Sequence, residues 1–135
     1  MKTVAQLVVR TYECDSYGHV NNAVYLNYLE YGRMEFLHAC GFDYKGLVDA
    51  GYYLYITHID ISYKASAFLD DRLLVEVEPI KLGHVSGTFR QRVLKADGTV
   101  CAEAKVTWAS VTTNGKPAPI PRQFMIDSLK PTQAE

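Results

Sequence analysis

The stretch from Asp15 to Asn22 holds most of the side chains that could do chemistry in this sequence of 135 residues. It places a carboxylate at Asp15, a flexible residue at Gly18, an imidazole at His19 and amides at Asn21 and Asn22, just ahead of a predicted helix. The first N–H groups of a helix lack internal partners and carry the positive end of its dipole, so they can hold an oxyanion. Asp15 could then act as a general base on water or attack a carbonyl carbon directly. A plain turn with Asx caps is the alternative, because such caps are common.

A long amphipathic helix is predicted directly after this stretch, from Ala23 to Cys40. Asn21 or Asn22 suits its N-cap, and Gly41 suits the position just past its end. One buried stripe is expected from residues spaced at steps of four, three, four and four: Tyr25, Leu29, Gly32, Phe36 and Cys40. A glycine within that stripe would let the helix approach its packing partner closely.

Strand-like runs surround this helix. A first strand is expected from Val4 to Tyr12, and a loop from Asp43 to Gly51. The turn at Asp97-Gly98 predicts a hairpin between the last two strands. This order predicts an α+β fold in which a mainly antiparallel sheet packs one face against the single long helix, as one domain over residues 1–135. The four later strands are expected at Tyr52–Tyr63, Arg72–Lys81, Val85–Lys95 and Val100–Val111.

The overall composition gives no sign of a nucleic acid or a membrane as partner. The 14 basic and 15 acidic residues give a net charge of −1, whereas nucleic-acid-binding domains usually carry a basic excess. No apolar run approaches the length of a membrane span, and the N-terminal ten residues do not form a signal peptide. We therefore expect a cytoplasmic protein, with no nucleic acid and no membrane among its partners.

The cysteines and histidines predict neither a disulfide framework nor a metal site, because they are widely spaced and the cysteines are odd in number. No phosphate-binding loop or dinucleotide fingerprint is present either. We expect reduced thiols and no cofactor or metal. The residues concerned are Cys14, Cys40, Cys101, His19, His38, His58 and His84.

The segment from Tyr12 to Glu30, YECDSYGHVNNAVYLNYLE, resembles the signature of the 4-hydroxybenzoyl-CoA thioesterase family and of its relatives among bacterial acyl-CoA thioesterases. The segment from Ile61 to Asp71 is similar to the family's second block, with Ser66 where the family usually has proline. The run from His19 to Asn22 resembles the acyl-CoA and plant acyl-carrier-protein branches and departs from the aromatic-acyl branch.

This resemblance implies a hotdog fold, in which a five-stranded, mainly antiparallel sheet wraps around one long central helix. The implied activity is hydrolysis of a fatty acyl-CoA to free acid and coenzyme A. The implied assembly is a homodimer or homotetramer with the site between protomers, which agrees with the sheet edge that one helix leaves uncovered. Two alternatives remain: an acyl-CoA-binding protein without catalysis, and an aromatic acyl-CoA thioesterase.

Carried onto this sequence, the resemblance implies that Asp15 is the catalytic carboxylate and that the backbone N–H of Asn22 donates to the thioester oxygen. Gly18 would permit the turn that brings the two together, and His19 would contact the substrate. Glu30 is the rival carboxylate, because another hotdog branch uses a helical glutamate; the alternative is a pair with Arg33 on the helix surface.

Three further residues are candidates for substrate binding. Tyr25 belongs to a set of tyrosines that suggests an aromatic-lined pocket. The resemblance places His58 near the site and Ser86 beside the pantetheine arm of coenzyme A. Alternation along its strand groups His58 with Leu54, Ile56, Asp60 and Ser62, and a histidine at such a position is more often structural.

Overall fold

The computed structural model describes residues 1–131, so residues 132–135 of the predicted domain lie outside the described part. Five strands and two helices form the fold, and short 3-10 turns lie at Thr11–Glu13 and Asp127–Leu129. The main elements are β1 (Thr3–Val8), α1 (Val24–Ala39), α2 (Tyr44–Asp49), β2 (Tyr52–Tyr63), β3 (Arg72–Leu82), β4 (Ser86–Lys95) and β5 (Val100–Thr112).

The five strands form one antiparallel sheet in the order β1-β3-β4-β5-β2. The long helix α1 packs across β1, β3 and β4, and this confirms the predicted α+β arrangement of one helix on one sheet face. We call the face that α1 covers the inner face and the opposite one the outer face. No helix within residues 1–131 is long and apolar enough to cross a membrane.

The predicted apolar stripe of α1 forms the centre of the core. Leu29 and Phe36 have no exposed surface, and Phe36 meets Phe89 of β4 edge-on with ring centroids 5.2 Å apart. A Cβ atom on Gly32 would lie 2.5 Å from Cγ1 of Val75, closer than side chains can pack. The glycine therefore sets how near α1 lies to the sheet.

Two local predictions are wrong near the helices. The first strand ends at Val8 rather than Tyr12, because the chain turns into the 3-10 segment at Thr11–Glu13 to carry the candidate site toward α1. The predicted loop from Asp43 to Gly51 contains α2. Asp43 caps this helix, since its side chain accepts a hydrogen bond from the N–H of Gly46 at 2.9 Å.

A β-bulge in β2 changes which residues share a face. The pairing with β5 shifts between Ile56 and His58, so Thr57 is an extra residue. Ile56 pairs with buried Trp108 on the inner face, whereas His58 pairs with Thr107 on the outer face. The predicted grouping of His58 with Leu54 and Ile56 is therefore wrong, because a single inserted residue reverses the alternation.

Candidate active site

The loop that carries Asp15 is a tight, hydrogen-bonded turn. Cys14 and Val20 face each other in an isolated antiparallel bridge. Within the turn the N–H of Asp15 donates to the carbonyl of His19 at 2.9 Å, and the N–H of Gly18 donates to the carbonyl of Asp15 at 3.1 Å. Gly18 has a φ of 87°, a conformation that glycine adopts without strain. The glycine thus closes the turn that holds Asp15 in place.

The Asp15 carboxylate has one constrained oxygen and one that faces an imidazole. Its Oδ1 accepts a hydrogen bond from the N–H of Tyr17 at 2.9 Å, and its Oδ2 lies 3.5 Å from Nδ1 of His19. The Asp15 side chain is 21% exposed, so solvent and substrate can reach it. The geometry suits a general base or a nucleophile whose orientation is set by the backbone.

A backbone N–H group without an acceptor in the described part of the chain lies just ahead of α1. The N–H of Asn22 donates to no acceptor within residues 1–131, although its neighbour Ala23 donates to Oδ1 of Asn21 at 2.9 Å. The carbonyl of Asn22 accepts a hydrogen bond from the Tyr63 hydroxyl at 3.0 Å, which holds the segment against β2. Asn21 thus binds the backbone ahead of α1, and the N–H of Asn22 remains available to a ligand.

These groups line one open cavity of about 410 Å³, which we call the Asp15 cavity. It brings together four of the predicted site residues: Asp15, His19, Asn22 and Tyr25. Tyr25 is buried, and its hydroxyl oxygen accepts a hydrogen bond from the N–H of Ala67 at 3.3 Å. Burial raises the pKa of Tyr25 to about 12, so it is a neutral wall of the cavity at physiological pH.

Two predicted site residues lie elsewhere in the protomer. His58 is exposed on the outer face, and Ser86 begins β4 opposite Ala109. Neither side chain lines the Asp15 cavity. Within one protomer the structure therefore does not bring His58 or Ser86 to Asp15. The rival carboxylate Glu30 lines a different cavity further along α1.

A buried acid beneath the loop was not found from the sequence. Glu13 is 7% exposed, and its Oε1 accepts hydrogen bonds from the N–H of Arg10 at 2.8 Å and from the Tyr28 hydroxyl at 3.0 Å. Its backbone carbonyl accepts from the N–H of Asn21 at 2.9 Å. Glu13 thus joins the strand exit, the Asp15 loop and α1. The sequence signal for Glu13 is limited to its position two residues before Asp15.

A hydrogen bond joins Arg33 of α1 to Gln91 of β4. Gln91 was not identified from the sequence, and Arg33 was assigned to a different partner. The Nη1 of Arg33 donates to Oε1 of Gln91 at 3.0 Å, and Nε2 of Gln91 donates to the carbonyl of Leu29 at 3.0 Å. Gln91 is completely buried. Arg33 therefore points toward the sheet and forms no ion pair with Glu30 within residues 1–131, contrary to the surface pair considered from the sequence.

The fold and this loop define the class of protein. The chain belongs to the thioesterase-like superfamily, whose family model matches residues 9–127. It is a thioester hydrolase with the predicted hotdog fold, a five-stranded antiparallel sheet around a long helix.

Three known proteins are similar to this chain over most of their length. A putative esterase of Aquifex aeolicus is 33% identical over 117 residues, which cover 87% of this chain and 90% of that protein. The long-chain acyl-CoA thioesterase FadM of Escherichia coli is 32% identical over 107 residues, covering 78% and 80% of the two chains. The crystal structure of a hypothetical protein from Aquifex aeolicus superposes with a TM-score of 0.83 at 31% identity, covering 90% and 94% of the two chains.

Proposed function

We propose that this protein hydrolyses fatty acyl-CoA thioesters to the free acid and coenzyme A. The observation that carries the proposal is the meeting of the Asp15 carboxylate and the uncommitted N–H of Asn22 in one solvent-open cavity. A base and an oxyanion donor on opposite sides of a carbonyl are what thioester hydrolysis requires. The similarity to the acyl-CoA thioesterase FadM supports the choice of substrate class.

In the proposed reaction the thioester carbonyl oxygen accepts the Asn22 N–H. A water oxygen bonds to the carbonyl carbon while Asp15 takes one of the water protons. The resulting oxyanion is stabilised by the Asn22 N–H and the positive end of the α1 dipole. The C–S bond then breaks, and the departing thiolate recovers the proton from Asp15.

Direct attack by Asp15 is the second route to the same products. An oxygen of Asp15 bonds to the carbonyl carbon and the C–S bond breaks, which gives a mixed anhydride and the thiolate. Water then hydrolyses the anhydride to the free acid and the Asp15 carboxylate, and one of the water protons passes to the thiolate. Oδ2 is the candidate nucleophile, because Oδ1 is held by the N–H of Tyr17. In either route His19 faces the carboxylate, with Nδ1 at 3.5 Å from Oδ2 and at 3.3 Å from the carbonyl oxygen of Val20.

We further propose that the active protein is a homo-oligomer built on the free edge of β2. Among residues 1–131 this strand pairs with β5 alone, and its other edge, twelve residues long, is therefore left for a second protomer. It also exposes large apolar side chains, with Tyr55, Ile56 and Tyr63 each 41–47% exposed. Long apolar edges are usually paired in native proteins. Light scattering should give a mass of two or four protomers, and an active monomer of 15.2 kDa would exclude this assembly.

The catalytic proposal is tested by Asp15→Asn. The asparagine oxygen can still accept the N–H of Tyr17, so the turn should persist while the base is lost. The free thiol released from an acyl-CoA panel measures turnover, which should fall by about a hundredfold or more. Asp97→Asn is a matched control, because Oδ1 of Asp97 likewise accepts an N–H two residues on, from Thr99 at 2.9 Å, in the turn between β4 and β5.

Each alternative gives a different result in the same assay. Near-normal turnover of Asp15→Asn together with loss of turnover in Glu30→Gln would move the base onto α1. A higher kcat/KM for hydroxybenzoyl-CoA than for fatty acyl-CoA would assign the protein to the aromatic branch. Tight binding of acyl-CoA without hydrolysis of any member of the panel would indicate a binding protein.

A further inference from the structure

A second cavity lies between the later part of α1 and the inner face of the sheet. It has a volume of about 260 Å³ and does not include Asp15 or Asn22. Along α1, Arg33 of this cavity lies eleven residues beyond Asn22, a rise of roughly 16 Å. We call it the Arg33 cavity. Most of its wall is apolar, and Ile56, on the β2 edge proposed above for the oligomer, belongs to it. The other residues of this wall are Met34, Leu37, Tyr44, Leu54, Phe89, Trp108 and Leu129.

Arg33 is the positively charged residue that lines this mostly apolar cavity. Its guanidinium carries five N–H donors, and Nη1 to Gln91 is the hydrogen bond that it makes within residues 1–131. No carboxylate of that part of the chain lies at ion-pair distance from it, although the charge of Glu30 on the same cavity acts to raise its pKa. Burial lowers the pKa of Arg33, which reflects the cost of placing a cation in these surroundings. Arg33 is half-buried, and a cation that loses contact with water is normally paired with an anion.

Gln91 keeps this guanidinium in one orientation. Its side chain is held at both ends, by Arg33 on the oxygen and by the carbonyl of Leu29 on the nitrogen. The fork of remaining donors is therefore aligned before a ligand arrives. Guanidinium forks match the two oxygens of a carboxylate, and a bidentate pair of this kind is stronger than a neutral hydrogen bond.

We propose that the Arg33 cavity binds a free fatty carboxylate, with its carboxylate on Arg33 and its alkyl chain against the apolar wall. The cavity volume of about 260 Å³ is several times the roughly 30 Å³ that one water molecule occupies in the liquid, so there is room for a short alkyl chain. Glu30 also lines the cavity and opposes the anion by its charge. The proposal does not rest on hydrolysis by Asp15, although a thioesterase would release ligands of this class.

The single tryptophan of the chain makes the site observable. Trp108 lines the cavity, so titration with octanoate should change the intrinsic fluorescence. Octanol is the uncharged probe of the same length and should bind at least tenfold more weakly. Arg33→Met should weaken octanoate binding tenfold or more and leave octanol binding unchanged, while Glu30→Gln should tighten octanoate binding. Arg33→Lys, which retains charge but not the fork, should give intermediate binding if Arg33→Met does not fold.

Several results would overturn the proposal. Equal affinities for octanoate and octanol would leave no role for the guanidinium, as would an unchanged octanoate affinity in both Arg33 variants. A changed octanoate affinity in Asp15→Asn, in particular tighter binding once the like charge is removed, would place the ligand in the Asp15 cavity instead. If Asp15→Asn lacks turnover but binds octanoate normally, both the catalytic proposal and the Arg33 cavity proposal are supported. If Asp15→Asn has normal turnover and normal octanoate binding, only the catalytic proposal is refuted.

Discussion

Replacing Tyr28 with Phe should both destabilise the protein and slow it, because one hydroxyl joins α1 to the loop that carries Asp15. The Tyr28 hydroxyl donates to Oε1 of buried Glu13 at 3.0 Å, and Glu13 in turn accepts the N–H of Arg10. Burial is the main reason that the pKa of Tyr28 is raised, so the phenol keeps its proton at physiological pH and always donates. The substitution leaves the aromatic ring and its packing in place.

The expected loss follows from the charge and burial of the acceptor. A hydrogen bond to a charged group contributes about 1.5–3 kcal/mol, and Glu13 has little access to water as a replacement donor. For a domain of this size the melting temperature should fall by roughly 5–10 °C. Urea unfolding measures the free energy, and the m-value should not change. A double-mutant cycle with Glu13→Gln should give a coupling energy of about 1–2 kcal/mol.

The second expected effect of Tyr28→Phe is slower catalysis, which is measured as turnover. Glu13 lies two residues before Asp15 and its carbonyl accepts the N–H of Asn21, so loosening Glu13 should move the proposed base, Asp15, relative to the proposed oxyanion donor at Asn22. We expect kcat to fall about tenfold with little change in KM, since small displacements of catalytic groups are costly. Tyr31→Phe is the control: its hydroxyl donates to the carbonyl of Gln6 at an exposed site on the same helix. Equal losses of stability in the two variants, or a coupling energy near zero, would refute the reasoning.

Two further predictions concern the core. Gly32→Ala should destabilise the protein by about 1–2 kcal/mol in urea unfolding, because overpacking against Val75 outweighs the helix preference of alanine. Val75→Ala is destabilising by itself, but the double variant should lose less stability than the sum of the two single losses, and a stabilised Gly32→Ala would contradict the close approach. Stability should also decline as pH rises above about 10 toward 12, because the raised pKa of Tyr25 means that the unfolded chain loses its tyrosine protons first; circular dichroism across this range should show a smaller decline in Tyr25→Phe.

Much of the fold could be predicted from periodicity. The stripe from Tyr25 to Phe36 identifies the buried face of α1, and β2 has the predicted bounds of Tyr52–Tyr63. The hairpin at Asp97-Gly98 is confirmed, with Gly98 at a φ of 92°. These features are local, because they depend on side-chain alternation and on the few residues that tolerate such a turn.

The remaining features depend on contacts between distant residues. The helix α2 is stabilised by Asp43 and by burial of Leu47, which makes no repeating pattern in so short a segment. The bulge at Thr57 moves His58 to the outer face, and alternation along the strand carries no mark of it. Simple alternation therefore places His58 on the same face as Ile56, whereas the pairing with β5 places His58 on the opposite, outer face.

For the candidate site, the sequence by itself determined the chemical groups of the loop: a carboxylate, a glycine, an imidazole and two amides within eight residues, just ahead of a helix. Only the tertiary structure decided how they are supported, because the Glu13–Tyr28 hydrogen bond spans 15 residues and the Arg33–Gln91 bond spans 58. Such partners meet only when α1 is packed on the sheet. Burial then makes their charges and hydrogen bonds significant, and burial is a property of the assembled layers rather than of any one segment.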